Sequence, residues 1–177
     1  SLCKKEVILS LEMLLKSQPE KRPELHLIFA PIKKQRMDFM IEKAVELGAT
    51  HLHPIVTHHT EVRKLNNERV QAQIIEASEQ CERRDILKLS WCMSLESFIS
   101  KWSKDILIAG CIERGDYPHI GVPDQKFQAV LIGPEGGFDE DEINLIKSQT
   151  FISPVSLGTE IMRAETAALY SLSICRE

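Results

Sequence analysis

LIGPEGGF (residues 131–138) and SLGTEIMRAETAA (156–168) are the two stretches on which the reading of this chain turns. Each follows a short apolar run of strand character and leads into a run of helical character. Gly133 and Gly158 stand 25 residues apart. That spacing is expected to lay the two turns side by side at the carboxyl edge of one parallel sheet, where open α/β sheets bind their ligands. Glycine at such a turn lets backbone N–H and C=O groups approach a ligand closely, and Pro134 stiffens the first turn. The G-x-G-x-x-G dinucleotide spacing is absent, and no Gly-Lys-Ser/Thr follows, so neither a dinucleotide fingerprint nor a P-loop is present. Two ordinary strand-to-helix turns would look much the same from spacing alone. Arg163, Glu165 and Thr166 tilt the reading towards a built site, because they place charges beside a glycine turn at the start of an otherwise apolar helix.

Outward from these turns the chain alternates. Strand-like runs occupy residues 25–30, 52–56, 86–89, 106–109, 129–132 and 152–157. Helical spacing of apolar residues predicts helices over 37–47, 67–83, 95–102, 140–147 and 164–175. Strands alternating with helices predict an α/β fold, a mainly parallel sheet with helices on both faces. The run DEDE (139–142) suits a helix start, with Asp139 as cap and Glu142 reaching back. Residues 1–18 read as an apolar-periodic arm and 19–23 (PEKRP) as a linker. The arm is expected to be the tail of a preceding domain in a longer natural protein, ahead of one domain over 24–177.

Composition bounds the function. At 177 residues one domain of ordinary size is expected, and 43% apolar residues suffice for its core. A net charge of −4 rules out a polycation, so any nucleic-acid contact must come from local patches. Lys33, Lys34 and Arg36 form one such patch; Arg63, Lys64 and Arg69 another; Arg83 and Arg84 a third. Five cysteines without a C-x-x-C pair indicate a reduced, cytosolic setting. His51, His53, His58 and His59 lie close together, with His51 and His53 on one strand face. No cysteine or carboxylate set completes a tetrahedral site there, and no metal is expected.

LIGPEGGF (131–138), PVSLG (154–158) and IMRAETA (161–167) resemble the RsmE family, the uridine-N3 methyltransferases of bacterial 16S ribosomal RNA. IEKAVELG (41–48), EQCER (79–83) and Glu113 ahead of Gly115 and Asp116 agree with the same family. The resemblance runs from about residue 25 to the C-terminus. It implies a SPOUT-type fold with a C-terminal trefoil knot and S-adenosylmethionine bound in that knot. It also implies a homodimer, a role in ribosome biogenesis in the bacterial cytoplasm, and a PUA-like RNA-binding barrel ahead of residue 24 that is largely missing. Carried over by motif, the cofactor residues are Leu131, Ile132, Gly133, Glu135, Gly136 and Gly137 in the first turn. Leu157, Gly158, Ile161 and Met162 follow in the second, and Glu113 marks a third loop. Arg163 and Glu165 are the catalytic residues. Arg163 is suited to stabilise the uridine anion; Glu165 acts either as general base or as the group that orients Arg163. Lys33, Lys34, Arg36 and Arg63 are the RNA-binding residues. The family usually has proline and arginine where this chain has Thr159 and Glu160, which turns a positive charge beside the pocket negative. Two other readings share the fold: a SPOUT methyltransferase acting on another RNA, and a non-catalytic RNA-binding domain.

Overall fold

The computed structural model describes residues 10, 12, 13, 22–122 and 126–176. All of the arm but residues 10, 12 and 13, and most of the linker, lie outside them. Seven strands, all paired in parallel, form one sheet. They are β1 (His26–Phe29), β2 (His51–Val56), β3 (Lys88–Leu89), β4 (Met93–Ser94), β5 (Ile108–Cys111), β6 (Ala129–Ile132) and β7 (Ile152–Val155). The order across the sheet is β3-β2-β1-β6-β5-β7, with β4 continuing the β3 edge along β2. The expected alternation therefore holds, and β4 is an addition of two residues too short to carry a period.

Alternation along each strand sorts the core into two layers. Leu27, Phe29, Val130, Ile132, Ala109 and Val155 face α1 (Lys34–Glu46), α2 (Asn67–Gln80) and α5 (Ala164–Cys175). Ile28, Ala129, Leu131, Ile108 and Ile152 face α3 (Leu95–Lys101) and α4 (Glu140–Lys147). β1 and β6 are buried at every residue, as strands covered on both faces must be. α2 stops at Gln80, three residues before the expected Arg83. Glu82 turns to φ +56°, and the Arg83 side chain folds inward to donate to the carbonyls of Val45 and Ala49 while pairing with Asp85. Arg83 is a tether of the α1 end rather than a surface cation.

Two features position the site. Cys111, Ile132 and Val155 are level in the register of β5, β6 and β7, so the loops after all three strands leave the sheet along one line. The chain after β7 then returns across the sheet so that α5 packs on α1, β6 and β1. On the way it runs against the connection between β5 and β6. Ser156 N donates to Pro118 O at 2.9 Å, Ile120 N donates to Ser156 O at 3.0 Å, and Tyr170 Oη lies 3.0 Å from His119 Nε2.

Candidate active site

A cavity of about 580 Å³ opens where those three loops meet. Its first wall is the turn after β6, from Ile132 through Gly133, Glu135, Gly136 and Gly137. Its second is the turn after β7, with Leu157, Gly158, Ile161 and Met162, continuing to Arg163. Glu113, after β5, fills the space between. The two glycine turns are not immediate neighbours, because β5 lies between β6 and β7. Of the residues expected to touch a cofactor, Leu131 alone is placed elsewhere. It is fully buried on the α3/α4 layer, since alternation turns it to the face opposite Ile132. Phe138 and Ser156, which lie in the quoted motifs, also line the cavity, as do Cys111, Ile112 and Arg114, which no motif marks.

The backbone of the walls depends on glycine. Gly137 (φ +70°) and Gly158 (φ +128°) occupy conformations that side-chain-bearing residues rarely adopt. At Gly136 the constraint is space, because a Cβ there would stand 3.0 Å from the Cβ of His59. Behind the first turn α4 begins with the expected capping box. Glu142 N donates to Asp139 Oδ1 at 2.8 Å, and Asp139 N donates to Glu142 Oε2 at 3.0 Å.

Electrostatics are organised around one guanidinium. Arg36, on the first turn of α1, lies 3.5 Å from Glu135 Oε1 and 3.7 Å from Glu165 Oε1. It thus bridges the cofactor turn and the start of α5, and is not free for phosphate as expected. Glu165 is buried, at 9% exposure, and its Oε2 has no hydrogen-bond partner. Arg163 is the exposed N-cap residue of α5 and makes no ion pair with Glu165. The notion of Glu165 as the group orienting Arg163 is therefore not what the fold builds; Glu165 is held by Arg36. Thr159 donates to Glu160 at 2.9 Å, and both line the cavity.

The other expected cations are dispersed. Lys33 reaches Glu61 at 3.8 Å with both side chains exposed, Lys34 pairs with Asp38, and Arg63 donates to the His58 carbonyl. Cys111 borders the cavity, but burial pushes its thiol up to about 12, which removes it as a nucleophile near neutral pH. His51 and His53 do share a strand face, stacked with His26, which no motif marked. His53 spends both ring nitrogens on His26 Nδ1 and Ser90 Oγ, each at 3.0 Å. Among the described residues no group of three His, Cys, Asp or Glu side chains could hold a metal ion. No helix among them is long and apolar enough to cross a membrane.

Residues 19–176 match the RNA methyltransferase domain family. The chain is 31% identical over 173 residues to ribosomal RNA small subunit methyltransferase E of Rickettsia conorii, covering 94% of this chain and 71% of that protein. It is similar to a methyltransferase of Legionella pneumophila solved with its cofactor S-adenosylmethionine, with 31% identity and a TM-score of 0.70. That match covers 87% of this chain and 66% of the Legionella chain. It is similar as well to ribosomal RNA small subunit methyltransferase E of Neisseria gonorrhoeae bound to S-adenosylmethionine, with 27% identity and a TM-score of 0.75. There the match covers 84% of this chain and 63% of the other. The chain thus spans about two thirds of the length of these relatives.

Proposed function

The chain belongs to the RNA methyltransferase family of the ribosomal small-subunit methyltransferase E kind, and on that premise we propose that it methylates N3 of a uridine in 16S ribosomal RNA. The observation that carries the reading is the cavity walled by two glycine turns and Glu113 at the carboxyl edge of β5, β6 and β7. Its donors fit S-adenosylmethionine. The side-chain-free backbone at Gly133 and Gly136 suits close approach by the polar ends of the cofactor, while the Gly137 amide closes the turn on Pro134 O at 2.9 Å. Glu113, Glu135 and Glu160 lend negative potential to a sulfonium. When bound, that sulfonium supplies a methyl group open to in-line displacement.

The chain's own residues must present the nucleophile. Neutral uridine carries a proton on N3, and the anion left by its removal spreads onto the two flanking carbonyls. Glu165, which follows the lining residue Ala164 without itself lining the cavity, is the proposed acceptor for that proton: its buried Oε2 lacks a partner, while Arg36 lies beside the other carboxylate oxygen. Arg163, exposed at the mouth, supplies a fixed positive charge to a uridine carbonyl oxygen. With the proton passed to Glu165, the N3 lone pair would be free to displace the methyl group from the sulfonium, whose sulfur would keep the pair of the broken C–S bond. The target base must leave its stack to reach this depth. Lys33, Lys34 and Arg63 are proposed to hold backbone phosphates, which position RNA without specifying it.

The trefoil knot belongs to the same reading, supported by the contacts of Ser156 with Pro118 and Ile120 and of Tyr170 with His119. A homodimer belongs to it too. Phe39, one turn beyond Arg36 on α1, is an exposed aromatic that such an interface would cover. The bacterial cytoplasm is the compartment in which the proposed substrate is found.

Calorimetric titration of S-adenosylmethionine, with Gly136→Val and Arg163→Ala beside the native chain, tests the assignment. Binding lost in Gly136→Val and kept in Arg163→Ala places Arg163 on the substrate side. A folded native chain that binds no cofactor defeats it.

A further inference from the structure

The short turn after β2 has no place in the reaction above, yet it is built against the cofactor turn. It is rigid in itself. Thr57 N donates to Thr60 Oγ1 at 2.9 Å, Thr60 N donates to Thr57 O at 3.2 Å, and the two hydroxyls meet at 2.8 Å with both residues buried. It is also locked to α4. The second oxygen of the capping-box carboxylate, Glu142 Oε1, accepts from His58 N at 2.8 Å, and Glu142 is only 7% exposed. One buried carboxylate thus holds the Asp139 amide at the end of the glycine turn and the His58 amide 84 residues away.

His59 sits at the tip. Its Nδ1 lies 3.1 Å from the Gly137 carbonyl. A carbonyl can only accept, so Nδ1 carries the proton and the tautomer is set. The Cβ of His59 fills the space beside Gly136, 3.0 Å from where a side chain there would begin. Gly136 itself does not have positive φ, so its lack of a side chain answers to this contact rather than to backbone strain.

We infer that His59 is a positioning residue for the cofactor turn, carried on a brace (Thr57 to Thr60) that Glu142 anchors to α4. The brace presses on the outer side of Gly136 and Gly137 and fixes the shape of the turn, already closed by the Gly137 N to Pro134 O bond, before the cofactor arrives, which lowers the ordering needed on binding. The inference rests on the cofactor reading above, and its test separates the two.

S-adenosylmethionine is titrated calorimetrically into the native chain and into His59→Ala, His59→Asn, Gly136→Ala, His59→Gly and the Gly136→Ala/His59→Gly pair. Circular dichroism and cofactor-free melting midpoints run alongside. Because His59 is exposed, its variants are expected to fold with midpoints close to native. His59→Ala weakens binding about tenfold, the scale of one lost positioning hydrogen bond. His59→Asn, whose amide can donate from the place of Nδ1, restores it to within about twofold. Gly136→Ala weakens binding through its clash with His59, so the pair binds no more weakly than His59→Gly alone. Native affinity in His59→Ala overturns the inference while leaving the cofactor reading intact, and so does simple additivity in the pair. A folded native chain that binds no cofactor overturns both.

Discussion

Acidification should strongly destabilise this domain before most of its carboxylates are neutralised, because of three stacked histidines. His26 and His53 share a 3.0 Å hydrogen bond, and Trp102 stands edge-on to both rings. Burial, together with the neighbouring His51, pulls His26 down to about 4. Burial, then His26 and His51, pulls His53 down to about 3. Both therefore stay neutral in the fold while the unfolded chain takes up protons near pH 6.5. A lowered histidine contributes stability that is fully present above the unfolded value and is lost as pH falls towards the folded one. Between about pH 7.5 and about pH 4.5 the unfolded state binds close to two extra protons, each representing roughly 2 pKa units, and one unit is about 1.36 kcal/mol. Simple addition suggests about 5 kcal/mol; the repulsion between the rings enters both values, so on the order of 4 kcal/mol is expected. That is a large share of the roughly 5–15 kcal/mol that holds a typical domain together. Asp38 and Asp85, held below the usual carboxylate range chiefly by hydrogen bonds from Lys34, Arg69 and Arg83, lose their contributions only below this window. Urea unfolding followed by Trp102 fluorescence across the range, in the native chain and in His26→Gln/His53→Gln, reads the effect. A flat native profile, or an unchanged slope in the double variant, would refute the reasoning.

Other outcomes follow from the same geometry. Glu165→Gln should keep cofactor affinity and lower single-turnover methyl transfer by about two to three orders of magnitude, through loss of the proton acceptor. Arg36→Gln should lower transfer by a similar amount and also weaken cofactor binding, since it frees Glu135 and Glu165 together; a change in binding alone would count against the base assignment. Asp139→Ala should cost about 1 kcal/mol in urea unfolding by removing the α4 cap. Glu160→Arg should tighten RNA binding and steepen its salt dependence by about one charge, and filter binding at graded salt reads both.

Much of the fold was legible because its signals are local. The helices over 140–147 and 164–175 and the strand over 129–132 lie where periodicity and capping place them. Asp139 and Glu142 form the predicted box because cap and reaching acid are three residues apart. β4 escaped notice because two residues carry no period. Arg83 reads as helical surface in sequence, and only the approach of the α1 end turns it inward.

The site divides along the same line. Turns whose glycines and apolar neighbours are contiguous are legible in sequence, whereas polar contacts between distant segments leave no local signal. Arg36 looked like one of three clustered cations, but its partners lie on the β6 turn and on α5. Arg163 and Glu165 looked paired because they are two residues apart. Yet one is the exposed N-cap and the other the buried second residue of a helix, so their side chains leave in different directions. The consequence for mechanism is specific. A carboxylate tied to the cation beside it in sequence could only have oriented that cation. Tied instead to Arg36, with one buried oxygen left over, Glu165 keeps the capacity to take a proton that the proposed mechanism asks of it, and Arg163 keeps the free charge that the same proposal assigns to the substrate.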